Sequence, residues 1–132
     1  MEQHQKNAFA IAKWLQEQPR VQYVLYSGLE NHPGYEINKA QTTGFGGMIS
    51  FAVDNAETAR QILEGVKLIK FAESLGGTES LITYPIRQTH TDLTAEECAE
   101  KGITDCLLRF STGIEATQDL IDDLAQAFAA IE

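Results

Sequence analysis

The residue most able to do chemistry is Arg109, a cation set inside the apolar run Leu107-Leu108-Arg109-Phe110. In a strand the side chains alternate, so Arg109 shares a face with Leu107 and Ser111. A guanidinium in such a setting must meet a partner, because a buried charge without one is very costly. That partner is either a structural carboxylate or a bound anion, since the arginine fork matches a carboxylate in a bidentate way. Spacing alone leaves both readings open. The second feature is Glu73-Ser74-Leu75-Gly76-Gly77-Thr78-Glu79-Ser80, a polar, glycine-containing break between two strands. Its simplest reading is a turn. Gly44-Phe45-Gly46-Gly47 suggests a phosphate cradle, but these glycines precede a strand and no helix follows them directly. A tight approach to the strand fits better than a dinucleotide fingerprint. Asp119, Asp122 and Asp123 cluster near the start of the last helix, where Asp119 and Asp122 offset its dipole, and the cluster reads as a solvated helix face. His4, His32 and His90 lie far apart, and neither Cys98 nor Cys106 stands at ligand spacing from them, so no metal site is expected. No Ser/His/Asp order or Gly-x-Ser-x-Gly elbow is legible, and both cysteines read as packed thiols.

Apolar periodicity gives the elements that must position these groups. Residues 2–18 predict a helix, with Ala8, Ile11, Ala12 and Leu15 at helical spacing and Pro19 closing it. Residues 21–26 predict a strand rich in β-branched and aromatic side chains. Residues 28–47 form a connection long enough to be functional or to contact something outside the domain. A second strand covers 48–53, and Asp54 with Glu57 predicts an N-cap for the helix behind it. Short strands follow at 68–71 and 80–84, the latter ended by Pro85. Thr94 and Glu97 form a capping box, and Gly102 stops that helix. A strand at 106–111 and a helix from about Thr117, with Leu120, Ile121, Leu124, Ala125, Phe128 and Ile131 on one stripe, complete the chain. About five strands and four helices are expected, as an α+β fold whose sheet is mainly antiparallel and covered by helices on one face.

The 132 residues suit one domain, and 43% apolar with 22% charged residues supports a single core. A formal charge of −9 repels phosphate backbones and anionic headgroups, so neither nucleic acid nor a membrane is an expected partner. Apolar runs reach only four or five residues, too short for a spanning helix. With two cysteines and an N-terminus that does not read as a signal peptide, a cytoplasmic location is expected.

Several blocks together resemble the C-terminal domain of the Cys/Met-metabolism PLP-dependent enzymes, the cystathionine gamma-synthase and beta-lyase family with its gamma-lyases and sulfhydrylases. They are Tyr26-Ser27-Gly28-Leu29 with His32-Pro33, where Ser27 replaces a usual proline; the glycine-rich Gly44-Phe45-Gly46-Gly47-Met48; and Ala72-Glu73-Ser74-Leu75-Gly76-Gly77-Thr78-Glu79-Ser80-Leu81, followed by Pro85 and Thr89-His90. The last is Leu108-Arg109-Phe110-Ser111-Thr112-Gly113-Ile114-Glu115, with Ala116 where an acidic residue is common, a departure that bears on a helix cap.

The resemblance implies the small C-terminal domain of a fold-type I PLP enzyme, with residues 1–18 a connecting helix and 21–132 an α/β sandwich. The large domain that carries the PLP lysine would lie outside this chain, because none of Lys6, Lys13, Lys39, Lys67, Lys70 or Lys101 stands in the family's Ser-x-Thr-Lys setting. It implies pyridoxal phosphate as the parent enzyme's cofactor and electron sink, an amino-acid substrate, the large domain as partner and a homo-oligomer, a tetramer in the family. By similarity Arg109 would hold the substrate α-carboxylate, helped by Ser74 and Leu75, while Glu73 and Thr89 would line the mouth of the site. Glu73 leans toward a γ-type reaction. No catalytic, cofactor-binding or metal residue is expected within the chain itself, which alone would be inactive. A stand-alone amino-acid-binding or assembly module is the alternative.

Overall fold

The computed structural model describes residues 1–88 and 94–131. Its elements are α1 (Glu2–Gln16), β1 (Val21–Leu25), α2 (Tyr35–Gln41), β2 (Met48–Val53), α3 (Ala56–Gly65), β3 (Lys70–Phe71), β4 (Leu81–Thr83), α4 (Pro85–Gln88), α5 (Ala95–Glu100), β5 (Leu107–Ser111) and α6 (Thr117–Ala129). The five strands form one sheet in the order β1-β2-β5-β4-β3. Every neighbouring pair is antiparallel except β3 and β4, which run parallel.

One face of the sheet makes the core. Val24, Ile49, Phe51, Val53, Ile82, Leu108 and Phe110 pack there against Ala8, Ile11, Ala12 and Leu15 of α1, Ala59 and Ile62 of α3, and Leu120 and Leu124 of α6. The α1 stripe is fully buried, and of the stripe along α6 Leu120 and Leu124 are buried while Ile121, Phe128 and Ile131 pack partly buried against the core. Trp14 of α1 meets Phe128 of α6 edge to face, with ring centroids 5.3 Å apart. The other face carries the alternate side chains, matched across the strands as Leu25 with Ser50, Ser50 with Arg109, and Arg109 with Thr83. Tyr23 and Leu25 on that face are each 42% exposed. The sheet is therefore covered by helices on one side, as the pattern predicts.

Five local details depart from the expectations. The cap of α3 is Asn55, whose side chain accepts the Thr58 amide at 2.9 Å. Asp54 instead pairs with Arg20 at 3.4 Å. Strand β3 begins at Lys70 rather than 68, because the amides of Lys67, Leu68 and Ile69 all donate to the Asp123 carboxylate, at 2.8, 2.9 and 2.8 Å. Asp123 is buried and not part of a solvated face. The connection over 28–47 contains α2, a helix with no buried residue and hence no apolar stripe to read. Pro85 both ends the strand and opens α4, a position where its missing N–H costs nothing.

Candidate functional site

Arg109 lies near the middle of β5, opposite Ser50 on one side and Thr83 on the other, with its side chain on the face away from the helices. It is half-buried, and its Nη2 donates to the backbone carbonyl of Glu73 at 3.3 Å. Among the described residues no carboxylate lies within ion-pair distance of it; the pairs found there involve Arg20 and Arg60. A carbonyl orients a guanidinium without neutralising it, so the cation keeps its charge and most of its five N–H donors. Glu73, Ser74 and Leu75 sit on the turn above Arg109 with their side chains exposed. Thr89 lies outside the described residues.

The turn is tied to the sheet by side chains of the same face. Thr83 Oγ1 donates to the Ala72 carbonyl at 2.6 Å, and the Gly76 amide donates to Ser111 Oγ at 2.9 Å. Gly76 takes φ +76°, a left-handed conformation that glycine adopts without strain. Behind the turn, the Glu115 carboxylate accepts from the Ser80 amide and hydroxyl, both at 2.8 Å, and the Gly113 amide donates to Ser80 Oγ at 2.8 Å. Asn7 of α1 extends this network by donating to the Gly113 and Glu115 carbonyls at 3.0 and 2.8 Å. Ala116 supplies no side-chain cap for α6, consistent with its place in the sequence. Period-two alternation was the signal for Ser111; for Glu115 and Ser80, 35 residues apart, no local signal exists.

The glycine-rich approach to β2 is already engaged. Tyr26 and Ser27 donate hydroxyls to the Gly46 and Phe45 carbonyls at 2.9 and 3.1 Å, and the Phe45 amide donates to Gln5 Oε1 at 2.6 Å. Tyr26 is buried, and that burial pushes its phenol up to about 12. Cys106 is half-buried; burial first, and then Asp105 beside it, raise its thiol above the ordinary range. Among the described residues no group of three or more His, Cys, Asp or Glu is placed to hold a metal ion. No helix among them is long and apolar enough to cross a membrane.

The described residues do not by themselves make a pyridoxal phosphate site. A covalent aldehyde site needs a desolvated lysine. Lys6, Lys13, Lys39, Lys67, Lys70 and Lys101 are all exposed.

A family model described as Cys/Met metabolism PLP-dependent enzyme matches residues 1–129. A cystathionine gamma-lyase of Dictyostelium discoideum is 51% identical over 128 residues, covering 96% of this chain and 33% of that protein. A cystathionine gamma-synthase of Haemophilus influenzae is 48% identical over 132 residues, covering 100% of this chain and 31% of the relative. The crystal structure of a cystathionine gamma-lyase from Lactobacillus plantarum complexed with L-serine superposes with a TM-score of 0.94 at 39% identity, over 99% of this chain and 34% of the other. The chain thus spans about a third of the length of the relatives it matches.

Proposed function

The chain belongs to the family of Cys/Met metabolism PLP-dependent enzymes, and from that premise we propose that it is the C-terminal, substrate-carboxylate-binding region of a cystathionine gamma-synthase-like enzyme. The parent enzyme carries out β- or γ-elimination or replacement on cystathionine, cysteine or an activated homoserine. The lysine that binds the cofactor lies outside this region, in the large domain that is its partner. The family's cofactor is pyridoxal phosphate; this region contributes only groups that hold and orient the amino acid. The enzyme is a cytoplasmic homo-oligomer, in keeping with two cysteines that form no disulfide among the described residues.

One observation carries the reading: Arg109 is half-buried, held by a carbonyl and paired with no carboxylate among the described residues. The fork receives the α-carboxylate in two parallel hydrogen bonds and so fixes the plane of the amino acid. Ser74 and Leu75, on the turn beside it, border the carboxylate; Glu73 lines the mouth, where the choice of reaction is made.

The test is made in the full-length enzyme. Arg109→Ala should lower kcat/KM by about 100-fold or more, mainly through KM, given about 1.5–3 kcal/mol for each charge-assisted bond. Arg109→Lys keeps the charge but loses the fork, and should lie between this variant and the parent. Cofactor absorbance should not change in either. An unaltered KM in both variants refutes the assignment. A stand-alone amino-acid-binding module would instead bind the free amino acid through Arg109 with no cofactor present.

A further inference from the structure

The turn over Arg109 is fastened at both ends by groups of the sheet face on which Arg109 stands. The Ala72 and Glu73 carbonyls accept from Thr83 and Arg109, and three residues on the Gly76 amide donates to Ser111 Oγ. Arg109 and Ser111 are two residues apart on one strand, so they point the same way, about 7 Å apart. The span matches a short turn laid along the strand. Between these anchors the side chains of Glu73, Ser74 and Leu75 are exposed and make no hydrogen bond of their own among those described. Ser111 is 3% exposed and Thr83 1%, so both hydroxyls are fixed in place by their surroundings.

We propose that Ser111 is a positioning residue for Arg109: its hydroxyl holds the Gly76 end of the turn, which keeps the Glu73 carbonyl where it orients the guanidinium before a carboxylate arrives. Thr83 does the same work from the neighbouring strand through the Ala72 carbonyl. The inference rests on the carboxylate-binding reading of Arg109. Its physical content is preorganisation. A long arginine side chain has several rotamers, and a fixed acceptor reduces the freedom lost when the ligand binds. When the Ser111 hydroxyl is removed, the exposed Gly76 amide turns to water, the turn loosens, and the Glu73 carbonyl no longer has one position.

The test is a double-mutant cycle in the full-length enzyme, with KM and kcat for the amino-acid substrate measured separately. Ser111→Ala should raise KM about fivefold, the equivalent of one hydrogen bond, with a smaller fall in kcat. In an Arg109→Lys background the same substitution should add little, because the group it positions is gone. Thr83→Val, which keeps the side-chain shape, should reproduce this pattern and replaces Ser111→Ala if that variant does not fold. If Ser111→Ala and Thr83→Val leave KM unchanged, or if their effects add fully to that of Arg109→Lys, the positioning role is wrong while the carboxylate reading stands. If Arg109→Lys itself leaves KM unchanged, the carboxylate reading fails and this inference falls with it.

Discussion

Replacing Asp123 tests whether a buried carboxylate holds the β3 side of the sheet to α6. Its Oδ1 accepts the Lys67 amide, and its Oδ2 accepts the Leu68 and Ile69 amides, at 2.8, 2.9 and 2.8 Å; Gln126 Nε2 adds a donor at 3.1 Å. Asp123→Ala leaves all three amides without that acceptor. Ile69 is 1% exposed, so its amide carries a full desolvation cost of about 1–3 kcal/mol. Lys67 and Leu68 are exposed and can turn to water, so their share is smaller, about 0.5–1 kcal/mol each. The total is about 2–5 kcal/mol, a large part of the roughly 5–15 kcal/mol that holds a domain together. Asp123→Asn keeps one oxygen for Leu68 and Ile69 but sets an amide donor against the Lys67 N–H, so it should cost about half as much. Urea unfolding can be followed by the fluorescence of Trp14, the single tryptophan, which reports the α1–α6 contact through Phe128. The midpoint should fall while the slope stays constant, and Tm should drop by roughly 10 °C. Amide exchange should accelerate first at 67–69. A loss below about 0.5 kcal/mol in Asp123→Ala, or exchange that accelerates uniformly over the chain, would refute the reasoning.

The other predictions concern the phenol, the turn and the thiol. Tyr26 ionises at about 12 in the fold and near 10 when unfolded, so the neutral form is favoured by folding. The Tyr26 contribution to stability is constant below about pH 10 and is lost as pH rises toward 12; Tyr26→Phe should remove that part of the alkaline loss, and an identical alkaline unfolding curve in the variant would sink the assignment. In Gly113→Ala the new Cβ falls on the Thr78 carbonyl oxygen and the Glu115 carboxylate, and 2.7 Å from the Glu79 carbonyl carbon. Backbone cannot yield there cheaply, so a loss of about 1–3 kcal/mol in thermal unfolding is expected, with a raised KM in the full-length enzyme. Cys106 should react with iodoacetamide more slowly than free cysteine at neutral pH, because burial and Asp105 raise its thiol; Asp105→Asn should speed the reaction, and equal rates would contradict the cause.

What the sequence determined is what depends on near neighbours. The Thr94–Glu97 box closes as reciprocal bonds of 3.2 and 3.1 Å because its partners are three residues apart. The α1 and α6 stripes pack into the core, and the alternation in β5 places Arg109 and Ser111 on one face, because helical and strand periods are local geometry. Arg109 was legible as a cation that must meet something. Tertiary structure alone decided what surrounds it. Asn55, not Asp54, caps α3, while Asp54 pairs with Arg20, 34 positions before it. Where β3 starts depended on a carboxylate 54 residues downstream that accepts the Ile69 amide. The turn that orients Arg109 is fastened by Thr83, Ser111 and the Ser80–Glu115 pair, contacts that exist only once β4 lies beside β5. A hydroxyl in a strand has no local mark that separates a solvent-facing group from an anchor. Its role is set by the segment that folds over it.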